Sequence, residues 1–327
     1  MQDVVKVGIV GCGRAGRKYA AAGLLAHPQA EIVGLTSRTE ASARQLRQDL
    51  SLTAEVFPDY PTMLESDGLT AVALCTPPPC HFEQAKLALA AGKHVIIEKP
   101  ATTSIQEAEE LIALASQHGR QVLVAQNMRF APSITTARNW LAYGMIGDVH
   151  AVSGIFEHGG PGKDWFFDPA QAWVGGSFYD LGVHLIDTVR FLLGPSVWQL
   201  TSADLNHDPR GIDTVGEVSY QTPPGVTIAL STSWLARTMI GRISIQGNRG
   251  NIQVVFRPIP NQQLLHTPEG ASNEAMQNIT SFTSQAFANP YYYFIETILG
   301  RISGDPMGIS LANNLPTIQA VMAAYRR

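Results

Sequence analysis

The apolar run Val4-Val5-Lys6-Val7-Gly8-Ile9-Val10 leads directly into Gly11-Cys12-Gly13-Arg14-Ala15-Gly16, and a second β-rich run, residues 31–36, closes shortly after. A G-x-G-x-x-G between a strand and a helix is a strong constraint on topology. Its first glycine permits a tight turn, its second lets the backbone approach a pyrophosphate, and its third lets helix and strand pack closely. The phosphates then meet the free N-H groups at the positive end of the helix. The rhythm continues with strand-like runs at 70–75, 93–98 and 121–125, separated by helical patterns at 14–25, 40–50, 81–91 and 104–118. Near-continuous apolar strands joined by helices imply a parallel sheet covered on both faces, with right-handed crossovers. The expectation is an α/β Rossmann domain with a doubly wound parallel sheet.

Beyond about residue 126 the pattern changes. A helix near 133–143 precedes strand-like runs at 148–157, 197–205, 213–221, 225–235, 239–247 and 250–256, with one helical insertion at 177–193. Short turns such as Pro223-Pro224-Gly225 and Gly247-Asn248-Arg249-Gly250 imply antiparallel pairing. Segment 261–290 is polar and reads as a long loop, and helices near 290–301 and 312–326 close the chain. The expected division is 1–126, an NAD(P)-binding domain, and 127–327, an α+β domain with an open, mainly antiparallel sheet. A length of 327 residues suits two such units.

Composition removes other classes. Hydrophobic residues make up 45% and charged residues 15%, which excludes intrinsic disorder and a coiled coil. A net charge of -4 offers no footprint for nucleic acid or an anionic membrane. Cys12, Cys75 and Cys80 show no metal-ligand spacing, so the expectation is a reduced, cytoplasmic chain with no metal site. No apolar stretch reaches the roughly 18 residues that a membrane span needs.

The end of the second strand bears on the cofactor. A carboxylate there binds the ribose 2'-OH of NAD, whereas a small residue followed by Arg can hold a 2'-phosphate. The chain reads Thr36-Ser37-Arg38-Thr39, which favours NADP over NAD. Against this, Arg38 can be a solvated residue at a helix start and Glu40 can reach back to a ribose. Cys75-Thr76-Pro77-Pro78-Pro79-Cys80-His81 lies at a carboxyl strand edge, where ligands of open α/β sheets bind, and its prolines stiffen the loop. Only 6 of the 23 basic residues are lysines, and one of them, in Glu98-Lys99-Pro100, ends an apolar strand at that same edge. Such a lysine must pair, face the cleft or reach solvent. Lys99-Pro100 is also a candidate cis peptide.

In the second half, Gly175-Gly176-Ser177-Phe178-Tyr179-Asp180-Leu181-Gly182-Val183-His184 begins a helix and sets Asp180 and His184 four apart on one face. A carboxylate beside an imidazole orients the ring and suits a proton relay, although a plain surface pair has the same spacing. The preceding segment 157–173, with Trp165 among its glycines and aromatics, can roof a pocket or simply be buried.

Together these residues resemble the Gfo/Idh/MocA family, named for glucose-fructose oxidoreductase, inositol dehydrogenase and a rhizopine-catabolism protein. The resemblance rests on Gly11 to Gly16, Thr76-Pro77-Pro78 with His81, Glu98-Lys99-Pro100, Arg129-Phe130-Ala131-Pro132, Gly144-Met145-Ile146-Gly147, and Gly175-Gly176 leading to Asp180 and His184. It implies a cofactor site drawn from Gly11, Gly13, Arg14, Ala15, Gly16, Ser37, Arg38, Cys75, Thr76, Pro77, His81, Glu98 and Lys99. Lys99 resembles the family's lysine on the nicotinamide ribose and the reacting oxygen, His184 its general acid/base, and Asp180 the carboxylate positioning substrate or histidine. Arg129 and Trp165 join these three as expected substrate contacts. The implied activity is NADP-dependent hydride transfer to or from a CH-OH/C=O group of a sugar, cyclitol or related polyol. A redox-silent nucleotide-binding sensor and a reductase of a non-carbohydrate substrate are the alternatives. The implied partners are a small-molecule substrate and further copies of the chain, as a homodimer or homotetramer through the C-terminal sheet.

Overall fold

The computed structural model describes residues 4–162, 176–223, 225–257, 262–270, 277–279 and 287–326. They form two compact units, residues 1–127 with 286–315 and residues 128–285 with 316–327.

The first unit carries a six-stranded parallel sheet in the order β3-β2-β1-β4-β5-β6. The strands are β1 (Val5–Val10), β2 (Ala30–Thr36), β3 (Glu55–Val56), β4 (Ala71–Leu74), β5 (His94–Ile97) and β6 (Val122–Val124). All of β4 and β6 is buried, as helices on both faces of a parallel sheet require. The strand order reverses between β1 and β4, so the carboxyl ends of these strands frame a crevice where ligands of such sheets bind. Helix α1 (Ala22–Leu25) is entered through a π-turn at Gly16–Ala21. Helices α2 (Glu40–Asp49), α3 (Tyr60–Leu64), α4 (His81–Ala90) and α5 (Ile105–His118) follow. The ends of α5 show how local chemistry sets its length. Ser104 and Glu107 form a capping box, and Gly119 terminates the helix at φ +61°.

Residues 286–315 belong to this first unit, a return that the linear alternation of strands and helices does not reveal. Helix α6 (Pro132–Ala142) and helix α7 (Val183–Leu193) lie in the second unit, whereas α8 (Pro290–Ile298) packs in the first. Asn289 caps α8 by accepting from the Tyr291 and Tyr292 amides, each at 2.9 Å. The Glu296 carboxylate then meets His27 Nε2 at 2.7 Å.

The second unit carries an eight-stranded sheet in the order β14-β13-β12-β11-β7-β10-β9-β8. Its strands are β7 (Val149–Glu157), β8 (Gln199–His207), β9 (Asp213–Gln221), β10 (Thr227–Ser233), β11 (Ile240–Gly247), β12 (Gly250–Arg257), β13 (Gln263–Pro268) and β14 (Gln277–Ile279). Among the described residues of this sheet only β7 and β10 pair in parallel; the other ladders are antiparallel. Strand β10 alternates as a one-sided sheet should, burying Ile228, Leu230 and Thr232. Gly154 in β7 lets α7 close on the sheet, because a Cβ there would lie 3.2 Å from Leu185 and 2.9 Å from Leu230.

One expectation is corrected. The polar segment 261–290 is not all loop, since β13 and β14 lie in it. Gln263-Leu264-Leu265-His266-Thr267 has too few apolar residues to show as a strand, but pairing with β12 supplies the ladder bonds and buries Leu264 completely. Strand β3 and helix α3, also unassigned from sequence, are two and five residues long, too short for periodicity to register.

Candidate active site

The glycine turn has the shape its spacing predicts. Gly11 adopts φ +93°, and a Cβ there would stand 2.8 Å from the Cys75 carbonyl group. A Cβ on Gly16 would stand 2.2 Å from the Gly11 carbonyl oxygen, so both positions exclude a side chain. Gly13 differs, having nothing within 4 Å of its would-be Cβ. Its α-carbon therefore faces open space at the start of a helix, the close-approach surface that a pyrophosphate needs. The turn is tied to the end of β2 by Gly11 N donating to Thr36 O (2.8 Å) and Cys12 N donating to Ser37 Oγ (3.4 Å). Burial pushes the Cys12 thiol up to about 12, so it stays protonated and acts as a small apolar plug.

Arg38 is exposed and forms no ion pair among the described residues. Glu40 is engaged elsewhere, accepting from Arg44 Nε at 2.8 Å one turn along α2. Exposed Arg14 lies at the other side of the glycine turn. The residues thus fit a phosphorylated dinucleotide, with open backbone for the pyrophosphate and the exposed guanidinium of Arg38 just after β2.

At the far side of the strand reversal, Thr76 Oγ1 donates to Gln84 Oε1 (2.6 Å) and stiffens the loop after β4. His81 is buried, with Nε2 2.8 Å from Thr76 O and Nδ1 3.0 Å from Pro100 O. Desolvation lowers its pKa to about 4, outweighing the backbone groups of Thr76, Pro100 and Ala101 that favour a charged ring. A neutral imidazole carries one N–H, so at any moment it donates to one of these two carbonyls, holding either the loop after β4 or the peptide after Lys99. Lys99 is half-buried and its bond to Pro100 is cis. Glu98 beside it is buried and accepts from Tyr291 Oη of α8 at 2.5 Å. Burial raises the Glu98 carboxyl above the ordinary range, against the lowering effects of Tyr291 and Lys99. Cys75, Thr76, His81, Glu98 and Lys99 thus share the carboxyl edge of one sheet with Gly11 to Gly16, Ser37 and Arg38.

In the second unit, Asp180 and His184 are half-buried on the expected helix, with a local departure. Phe178–Gly182 is a π-turn leading into α7, so Asp180 sits in a widened turn and His184 in the first α-helical turn. Such turns are rare and recur at functional sites. The His184 ring packs 5.7 Å from Phe156 of β7, measured between centroids. Trp165 lies in 163–175, outside the described residues.

Two carboxylates that sequence patterning missed hold this helix. Asp213, wholly buried at the start of β9, accepts from Gly176 N (2.6 Å), Phe178 N (2.8 Å), Ser177 Oγ (3.2 Å) and Tyr325 Oη (2.9 Å). It thereby caps the π-turn from another element. Gly176 is required there, because a Cβ would lie 1.9 Å from the Asp213 carbonyl oxygen. Asp187, also wholly buried, receives Arg129 Nε and Nη2, each at 2.7 Å. Arg129, expected at the substrate, is therefore committed to a bidentate ion pair that ties the entry of the second unit to α7. Nothing in one sequence marks either pairing, since the partners are 37 and 58 residues apart. No group of three or more His, Cys, Asp or Glu side chains among the described residues could hold a metal ion. No described helix is long and apolar enough to cross a membrane.

Comparison with known proteins agrees with this arrangement. Residues 5–126 match the model of an oxidoreductase family with an NAD-binding Rossmann fold, and residues 134–253 match the GFO/IDH/MocA C-terminal domain. The dTDP-3,4-didehydro-2,6-dideoxy-alpha-D-glucose 3-reductase of Actinomadura kijaniata is 30% identical over 260 residues, covering 78% of this chain and 76% of that protein. The NADP(+)-dependent scyllo-inositol 2-dehydrogenase of Bacillus subtilis is 28% identical over 193 residues, 59% of this chain and 52% of its own. A 3-ketoreductase from Actinomadura kijaniata, crystallised with NADP and TDP-benzene, superposes with a TM-score of 0.85 at 24% identity, covering 98% of this chain and 97% of that one. With both family domains matched in order around a glycine turn of the required shape, the chain belongs to the Gfo/Idh/MocA oxidoreductases.

Proposed function

We propose that the protein is an NADP-dependent oxidoreductase acting on a CH-OH or C=O carbon of a sugar, cyclitol or related polyol. The observation that carries the cofactor reading is the end of β2, where half-buried Ser37 and exposed Arg38 stand in place of a carboxylate and Glu40 is bound to Arg44. A 2'-phosphate finds a hydroxyl and a guanidinium there, and meets no competing negative charge from Glu40. The substrate reading is supported by relatives whose names specify a dTDP-sugar reductase and an inositol dehydrogenase.

The cofactor, when bound, supplies hydride chemistry; the protein supplies orientation and charge. Gly11, Gly13, Arg14, Ala15 and Gly16 would hold the pyrophosphate, Ser37 and Arg38 the 2'-phosphate, and the Cys75-Thr76-Pro77 loop the second ribose. Lys99 would polarise the reacting oxygen and His184 would exchange a proton with it, with Asp180 orienting the histidine or the substrate. In this division the first unit binds the nucleotide. The second binds substrate and, through its eight-stranded sheet, further copies of the chain.

The test is NADPH and NADH titration of the wild type and Arg38→Ala, followed by turnover against a panel of keto-sugars and inosones. The expected result is NADPH preference that collapses in Arg38→Ala, with turnover lost in Lys99→Ala and His184→Ala. A wild-type preference for NADH overturns the cofactor assignment. Undiminished turnover in either active-site variant overturns the roles. Tight NADPH binding without turnover of any panel member would instead favour a nucleotide-binding sensor.

A further inference from the structure

Gln126 follows β6 at the carboxyl edge of the first unit's sheet. Register places it with care: Ile97 pairs with Val124, and Ala125 N donates to Ile97 O at 2.8 Å. Continuing that pairing sets Gln126 level with Lys99. The Gln126 side chain is 0% exposed, yet among the described residues neither its Oε1 nor its Nε2 has a hydrogen-bond partner. A buried primary amide with donor and acceptor both unmet is costly, and native chains satisfy nearly all such groups. Its neighbours on the same edge do not share the problem, since Thr76, His81 and Glu98 all have polar partners.

The two halves of a doubly wound sheet divide a dinucleotide between them. Ser37 and Arg38 lie at the end of β2, in the half that takes the adenosine end, while Lys99 and Gln126 end β5 and β6 in the other half. The group on the nicotinamide ring is itself a primary carboxamide. It offers one acceptor and two donors, the complement of what Gln126 leaves unmet.

We propose that Gln126 binds the nicotinamide carboxamide by paired amide hydrogen bonds, and so sets the rotation of the ring and the face it presents. This rests on the dinucleotide reading above. Covered in the cofactor-free chain, the amide turns to the ring by moving between staggered rotamers. The idle amide is then a stability cost accepted for the cofactor, of the kind functional sites show.

The experiment compares wild type with Gln126→Met, which keeps length and removes both polar atoms. Each protein is titrated with NADPH and with adenosine 2',5'-bisphosphate, which lacks the nicotinamide, and melted without ligand. Gln126→Met is expected to bind NADPH about tenfold more weakly, the worth of one to two hydrogen bonds, and the bisphosphate unchanged. Its ligand-free melting temperature is expected to equal or exceed that of wild type, because an unpaired buried amide has been replaced by an apolar group. NADPH affinity unchanged in the variant overturns the proposal, as does equal weakening of both ligands or a lowered ligand-free melting temperature. A wild type that binds neither ligand fails the dinucleotide reading itself, which separates that failure from failure at Gln126.

Discussion

Replacing Arg129 by Met tests whether this residue holds the fold or the substrate. Arg129 is 5% exposed and Asp187 0%, and two 2.7 Å bonds join them, with the guanidinium 5.2 Å from the Phe191 ring. The substitution leaves a carboxylate in the interior without its counter-charge, and breaking a buried pair in this way costs about 3–5 kcal/mol. For a unit of this size 1 kcal/mol shifts the melting temperature by about 2–4 °C, so a fall of roughly 6–20 °C is expected. Exchanging both partners, Arg129→Met with Asp187→Leu, removes the stranded charge and should recover most of that loss. The assay is urea unfolding followed by tryptophan fluorescence. All five tryptophans (Trp140, Trp165, Trp173, Trp198, Trp234) fall in the second unit, so the signal reports the unit that holds the pair. If Arg129→Met unfolds within about 1 kcal/mol of wild type while substrate KM rises, Arg129 is a substrate ligand and the reasoning fails. A double variant no more stable than the single one would refute the buried-charge account.

Further outcomes follow from the first unit. Gly16→Ala should lower stability by about 1–3 kcal/mol and weaken NADPH binding, because its Cβ would sit 2.2 Å from the Gly11 carbonyl oxygen; thermal melts with and without NADPH check both. His81 has a pKa of about 4 in the fold against the ordinary 6.5. Its stabilising contribution is therefore full above about pH 6.5 and is lost as pH falls toward 4, when the unfolded chain takes up the proton first. That is up to about 3 kcal/mol. His94 is lowered in the same direction, so His81→Gln should remove about one proton from the acid-side slope of the stability curve and leave the other; an unchanged slope would refute the assignment. Tyr291→Phe strips buried Glu98 of the hydroxyl at 2.5 Å and should cost about 1–3 kcal/mol in urea titration, whereas an unmoved midpoint would show that the bond contributes nothing.

The legible part of the site consists of residues whose chemistry is tied to their own local turn. Gly11, Gly13 and Gly16 can be read from spacing because each glycine answers a constraint set within a few residues, and the helix at 14–25 follows from the same signal. The place of Ser37 and Arg38 just after β2 was legible because a β-rich run ends at Thr36. Asp180 and His184 were legible as a spacing but not as a geometry. The π-turn at Phe178–Gly182 depends on Asp213, a residue of a different strand that accepts the first amides of the turn. The ion pair of Arg129 was not legible for the same reason, since its partner Asp187 is distant in sequence and chosen by packing.

The sequence alone determined what rests on local stereochemistry and periodicity: a glycine turn, strands buried on two faces followed by strands buried on one, and a lysine at a strand end. Only tertiary structure decided which charges neutralise one another and which polar groups are left unmet. Asp187 with Arg129, Asp213 beneath the π-turn, Tyr291 on Glu98 and the unpartnered amide of Gln126 are all of this kind. The physical reason is that burying a charge or an amide is favourable only if a partner arrives at bonding distance. Which partner arrives is set by the packing of elements far apart in the chain, not by any residue's neighbours in sequence.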